Sequence, residues 1–320
     1  MMNFIKNWTL PIAMLAGALG YFAYVSIPAL DGTHALALDT ISILQPTLLF
    51  AMLFLTFCKV RPQDLRLAPW QTWLLIMQTS VFLLMALLVY LMPDNHWRIV
   101  VEGGMLCMIC PTATAASVIT RKLGGDAGTL MTYTIAINLA VALLIPTVVP
   151  IIHPQPGLTF LRSFLIIIAK VFPLLLGPFF ASILLRWLSP RLTERLAQLR
   201  DLPFYLWAFS LSMAITMSVR SIVHAHCPWI YQAGIALASL VACIFQFAFG
   251  RKMGRRYGDA ISAGQACGQK NTVLIIWMGY TFMTPITSIA GGFYSVWHNV
   301  FNSWQLYKVR GERSARRDAF

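Results

Sequence analysis

Apolar residues run along the chain in long blocks separated by short polar gaps. Blocks fall at about 8–26, 41–58, 70–91, 98–120, 128–152, 160–187, 204–222, 229–249, 260–282 and 284–306. A helix crossing a bilayer needs about 20 apolar residues. The pattern therefore predicts an all-α integral membrane protein with ten transmembrane helices, and this length leaves no room for a separate soluble domain. Two of the ten blocks are interrupted near their middles. Block 4 carries Cys110-Pro111-Thr112-Ala113-Thr114-Ala115-Ala116-Ser117, and block 9 carries Gly264-Gln265-Ala266-Cys267-Gly268-Gln269-Lys270-Asn271-Thr272. Pro111 lacks a backbone donor, and Gly268 costs about 1 kcal/mol of helix propensity relative to Ala. Dividing the chain after helix 5 gives two halves of five helices. An odd number per half inverts the second half relative to the first, and the two breaks then occupy matching positions. In transporters such a pair points to a binding site. Packing kinks are the plainer reading of each break alone.

Charge orients this pattern. Of 24 Lys and Arg, 19 lie in the amino-terminal tail, the gaps after helices 2, 4, 6 and 8 and the carboxy-terminal tail, against Arg98, Arg162 and Arg220 on the other side. The crowded side is expected to be cytoplasmic, with both termini there and the protein multi-pass in the cell (inner) membrane. The first block is read as a span and not a cleavable leader, since Pro28 and Asp31 stand where a small-residue cleavage site would be wanted. The net charge of +13 is explained by these loops, so no nucleic-acid partner is expected.

Composition agrees: 58% of residues are hydrophobic and 11% charged, against roughly 25% charged in a soluble domain. The six cysteines mostly fall inside apolar blocks, and the Cys107-x-x-Cys110 pair reads as packing rather than redox chemistry. His224-x-His226 has no further ligand constellation, so neither a metal nor a cofactor is expected. No nucleotide-binding glycine loop, metalloprotease motif or nucleophile–base pair appears, which argues against a pump driven by ATP and against an enzyme.

Lys270 is the most informative residue. A lysine at mid-bilayer costs about 2.5–3.5 kcal/mol even on lenient insertion scales, and an intramembrane charge is a functional hypothesis by default. Its possible partners are a substrate anion, polar groups of helix 4, or Glu102; a brace for the helix crossing is the plainer role. Lys170, before Pro173, reads as structural. His298 and Asn299 in helix 10 could hydrogen-bond across helices, worth about 0.6 kcal/mol each.

Three segments resemble the bile acid:sodium symporter family, in a divergent, bacterial-type form. Cys110-Pro111-Thr112-Ala113-Thr114-Ala115-Ala116-Ser117-Val118 is similar to its C-P-G-G-T-A-S-N-V. Gly268-Gln269-Lys270-Asn271-Thr272 is similar to G-M-Q-N-S, and Phe293-Tyr294-Ser295-Val296-Trp297-His298-Asn299 to F-S-V-W-H-N. The resemblance implies a panel at about 8–58 and 160–222, a core at about 70–152 and 229–306, helices 4 and 9 crossing, a basic cytoplasmic tail at 307–320 and an organic-anion substrate. The substrate-facing set would be Thr112, Thr114, Asn271, His298 and Asn299; the cation-site or coupling set would be Lys270, Gln269, Ser117, Thr134 and Gln265. The family's sodium ligands are mostly not retained: Ala116, Ser117, Leu130 and Ala266 stand at their positions and Lys270 replaces a Gln, though Thr134 keeps the family's Thr. Sodium is therefore a doubtful partner. The expectation is a secondary transporter of bile-acid-like or small carboxylate anions, working by alternating access without sodium, either facilitated or coupled to protons if Lys270 titrates. A cation/proton antiporter-like carrier or a transport-inactive membrane sensor are the alternatives.

Overall fold

The structure is a computed structural model. It describes the backbone of residues 2–60, 63, 65–199, 202–224 and 227–318; side chains are not described for the first eleven residues, for 31 and 204, or from 310 onward. The cations Lys6, Arg61, Arg200, Arg310, Arg313, Arg316 and Arg317, together with His226, thus lie outside the described side chains.

Apart from one isolated β-bridge, the regular structure among the described residues is helical. Fourteen α-helices follow in order: α1 (Met2–Val25), α2 (His34–Cys58), α3 (Pro69–Leu91), α4 (Arg98–Ile109), α5 (Ala116–Leu123), α6 (Ala127–Ile152), α7 (Phe160–Leu175), α8 (Gly177–Leu188), α9 (Pro190–Gln198), α10 (Leu202–Val223), α11 (Trp229–Arg256), α12 (Ala260–Gly268), α13 (Thr272–Phe282) and α14 (Ile289–Asp318).

By helix length and hydropathy this is a multi-pass membrane protein. Five helices are long and apolar enough to cross: His34–Cys58, Pro69–Leu91, Ala127–Ile152, Tyr205–Val223 and Trp229–Arg256. The pair α7–α8, bent by 46° just after Pro173, makes a sixth if counted as one span. The other four expected blocks differ for identifiable reasons. Blocks 4 and 9 are each split into two short helices. The apolar part of α1 described in full, Ile12–Val25, is short. Block 10 begins as a 3-10 turn, Pro285–Ser288, and its helix α14 runs on into the basic tail.

The distribution of polarity is that of a bundle in lipid. Leu19, Leu84 and Leu91 are about two-thirds exposed, while Gln78, Gln246 and Glu102 are fully buried. Apolar side chains gain nothing by hiding from hydrocarbon, whereas polar groups must find partners inside.

Local signals set several helix starts. Asp126 accepts from Gly128 N at 2.7 Å to begin α6, and Asp259 accepts from Ser262 N at 3.2 Å to begin α12. Both satisfy donors that a first helical turn leaves open. α11 is the central post, packing against α4, α12 and α14, while α1 lies on α10 and α2 on α8 and α10. The α11–α12 contact is close because Gly250 carries no side chain. A Cβ there would stand 2.5 Å from the Ala263 carbonyl oxygen and 2.9 Å from Cys267 Cβ. Gly250→Ala is therefore expected to lower stability by about 1–3 kcal/mol through overpacking, read as a lower melting temperature in detergent. An unchanged melting temperature would mean that α12 moves aside without cost.

Candidate functional site

The two interruptions meet. α4 stops at Ile109 and α5 starts at Ala116; α12 stops at Gly268 and α13 starts at Thr272. Between them, Thr112 and Lys270 form an antiparallel bridge. Ala113 N donates to Gln269 O at 2.8 Å and Asn271 N to Pro111 O at 2.9 Å. Each break thus supplies backbone partners for the other, which is how non-helical chain survives inside a bundle.

Side chains complete the account. Cys107's carbonyl would receive its helical bond from residue 111, but Pro111 has no N–H. It accepts instead from Gln246 Nε2 at 3.1 Å, and Met108's carbonyl accepts from Gln78 Nε2 at 3.1 Å. Gln78 also donates to Gln246 Oε1 at 2.8 Å, Gln246 reaches Tyr294 Oη at 3.0 Å, and Tyr294 donates to Gly268 O at 2.8 Å. Tyr133 donates to Gln78 Oε1. Across the pair, Thr112 Oγ1 donates to Ala266 O at 2.7 Å and Cys110 Sγ to Asn271 O at 3.1 Å. Sequence reading missed Gln78, Gln246, Tyr133 and Tyr294 as parts of this site.

Lys270 sits at the bridge with 1% of its surface exposed, and its Nζ has no hydrogen-bond partner in the protein. Glu102 is not its counter-ion. That carboxylate, also fully buried, is held by Arg98 Nε at 2.8 Å, His153 Nε2 at 3.0 Å and Thr287 Oγ1 at 3.2 Å, with Arg98 also donating to Ile152 O. Arg98 of α4 itself, His153 at the end of α6 and Thr287 of the 3-10 turn occupy Glu102, and Lys270 Nζ bonds to neither of its oxygens. Lys170 is exposed on α7.

The other sequence-predicted residues divide into two groups. Thr112, Lys270, Gln269 and Asn271 are brought together at the paired breaks and are all buried. Asn271 caps α13 through Leu274 N at 3.3 Å, while Gln269 Oε1 has no protein partner. Buried His298 on α14 lies edge-on to Tyr294, ring centres 5.6 Å apart, and Gln265 on α12 donates to Asn302 Oδ1 at 3.0 Å. Two side chains bond back to their own helices: Thr134 to Leu130 O at 2.9 Å, and Asn299 to Ser295 O at 2.7 Å. Thr114 and Ser117 are half-buried, with Ser117 Oγ 3.5 Å from Thr114 O.

Ser117 also borders a cavity of 1460 Å3 walled by α2, α8 and α9 on one side and α5 and α6 on the other. Lys59, Arg66, Arg121 and Arg186 line it, against Asp126 and Glu194. Arg66 pairs with Asp126 at 3.6 Å, and Arg186 donates to the Cys58 and Val60 carbonyls at 2.9 and 2.7 Å, closing the end of α2. The cavity opens on the side where the charge bias predicts cytoplasm. Towards the opposite side α10 touches its neighbours: Arg220 Nη1 reaches Tyr280 Oη at 3.4 Å, and Ser221 Oγ lies 3.4 Å from Ser288 Oγ.

Neither a scan against protein-family models nor a search of curated proteins finds a match to this chain.

Proposed function

We propose that this chain is a divergent relative of the bile acid:sodium symporters and a secondary transporter of organic anions, working by alternating access without sodium. The observation that carries the reading is the buried, unpartnered ammonium of Lys270 at the point where two interrupted helices pair. A charge desolvated in this way is costly, and a substrate anion arriving at the crossing would offset that cost. In this reading the ten-span inverted plan stands, with blocks 4 and 9 each crossing the membrane as two half-helices.

Lys270 occupies the position and charge that a bound cation would otherwise supply. The half-helices α5 and α13 begin beside it, and helix amino termini favour a carboxylate or sulfonate. Thr112, Thr114, Asn271, His298 and Asn299 form the proposed substrate surface. The cavity lies between the proposed panel (α1, α2, α7–α10) and core (α3–α6, α11–α14), and its four cations give it a field that attracts anions. The contacts of Arg220 with Tyr280 and of Ser221 with Ser288 would then be the closed outer gate of an inward-facing form. An antiporter-like carrier fits less well, because Glu102 is already held by Arg98, His153 and Thr287.

The test is reconstitution of the full chain into liposomes, followed by uptake of labelled taurocholate and of labelled succinate with and without a sodium gradient. Saturable uptake of at least one anion, indifferent to sodium, is expected. Sodium-driven accumulation would overturn the coupling assignment, and no movement of either anion in either direction would overturn the transport reading.

A further inference from the structure

The side chains below Lys270 form a second polar feature, of which the transport reading uses only Lys270 and His298. On α14, Ser295, His298, Asn302 and Gln305 are spaced by three, four and three residues and so share one face. All four are at least 95% buried. Gln265 on α12 and Gln269, the residue just past its end, are four positions apart and lead to Lys270. Gln265 Nε2 bonds Asn302 Oδ1 at 3.0 Å and approaches Gln305 Oε1 at 3.4 Å, while Arg251 Nη2 donates to Gln305 Oε1 at 2.6 Å. Arg251 belongs to the last two turns of α11, on the side predicted to be cytoplasmic. Its stem crosses Gly264, where a Cβ would stand 2.6 Å from Arg251 Cγ.

Despite these bonds, every residue of the stripe, from Gln265 to Lys270 and along α14, retains an atom without a hydrogen-bond partner in the protein. They are Lys270 Nζ, Gln269 Oε1, Ser295 Oγ, His298 Nδ1, Gln265 Oε1, Asn302 Nδ2 and Gln305 Nε2. Fourteen buried side-chain atoms among the described residues lack a hydrogen bond, one of them His153 Nε2 beside Glu102, and half of the fourteen fall on this one stripe. A run of buried polar groups left open along one face needs an occupant.

The chemistry of the run selects that occupant. Lys270 at one end and Arg251 at the other repel a metal cation. The open acceptors of Gln265 and Gln269 repel an anion. Water, which donates and accepts, satisfies both kinds, and a buried water typically makes two to four such bonds.

We infer that the Gln265–Asn302–Gln305 stripe carries a column of water from the cytoplasmic end of α11 to Lys270, through which the ammonium exchanges a proton with the cytoplasm. In that exchange one N–H bond of the ammonium breaks and one O–H bond forms. The positive charge passes to the water column, and the amine keeps its electron pair. The titratable groups facing Lys270 are the thiols of Cys107 and Cys110 from the α4 side and of Cys267 from α12, with Tyr133 of α6 and Tyr294 and His298 of α14 beyond them. The proton's use in coupling rests on the transport reading above; the presence of the passage does not.

Two readouts on the full-length protein test the passage without any transport. The first is brief radiolytic hydroxyl labelling with mass spectrometry. His298 is expected to be oxidised about tenfold faster than fully buried Phe82, since ordered water beside a side chain supplies the radical. The Asn302→Leu/Gln305→Leu variant should lose that labelling. The second is reductive methylation with formaldehyde, which requires a neutral amine in contact with solvent. Lys270 should be modified faster as pH rises, and again not in the double variant. If His298 and Lys270 stay unmodified in the wild-type protein, or if their modification is the same in the variant, the passage does not exist. Should the double variant fail to fold, the wild-type measurements alone decide. A wet stripe in a protein that moves no anion would leave this inference standing and remove the transport reading, and a dry stripe in an active transporter would do the reverse.

Discussion

Lys270→Met is expected to make the protein more stable and, on the transport proposal, to cut anion uptake sharply. The two effects have one cause. Met fills a volume similar to that of the lysine stem, and the change removes a charge that has no protein partner. Relief of a mid-membrane ammonium is worth about 2.5–3.5 kcal/mol on insertion scales, so the melting temperature in detergent should rise. The same substitution deletes the group proposed to meet the substrate anion. A hydrogen bond to a charged group contributes about 1.5–3 kcal/mol, and 1.4 kcal/mol is a factor of ten, so uptake should fall by about tenfold or more. The combination is diagnostic. A variant that loses uptake and also melts earlier would identify Lys270 as a brace for the crossing. One that keeps both uptake and stability would remove Lys270 from the mechanism.

Legibility of the site in the sequence depended on whether a signal was local. Pro111 and Gly268 announce their breaks by residue type, and the bridged segments lie on those residues. Lys270 announces itself by its cost in an apolar block. Gln78 and Gln246 carry no comparable signal. Each is one of two glutamines in a mostly apolar helix, with no motif around it, and their shared contact spans 168 residues of sequence. Only the orphaned carbonyl at Cys107 hints that such a donor must exist, and no sequence rule says where. Glu102 was open to pairing with Lys270 for the same reason: His153 and Thr287 reach it from elements 51 and 185 residues away. The crossing count is hard to read for a different reason. A break in the middle of a span leaves α4 with 12 residues and α13 with 11, each too short to cross alone. Length and hydropathy then give fewer crossings than the apolar blocks do. The stripe on α14 was partly visible, as His298 and Asn299. The structure shifts weight from Asn299, which bonds its own helix, to Asn302 and Gln305 one and two turns further on.

The amide network makes the last prediction, a destabilisation with a specific rescue. Gln246→Leu removes the donor to the Cys107 carbonyl and the links to Gln78 and Tyr294. Gln78 keeps Met108 O, and Tyr294 keeps Gly268 O. The Cys107 carbonyl alone is left buried with no replacement. An orphaned carbonyl costs about 1–3 kcal/mol, and each interhelical side-chain bond within a membrane bundle is worth about 0.6 kcal/mol. The sum, about 2–4 kcal/mol, should appear as a clear drop in melting temperature. Pro111→Ala restores an N–H at the residue that a regular helix would use to serve that same carbonyl. In the Gln246→Leu background it should therefore recover part of the lost stability, although in the wild-type background it gives no comparable gain, because Gln246 already fills the acceptor. This difference between backgrounds is a coupling that a double-mutant cycle measures directly. Additive effects would mean that Gln246 does not serve the break. Recovery of stability without recovery of anion uptake is the expected final outcome, since healing the break removes the paired segments on which Lys270 is carried.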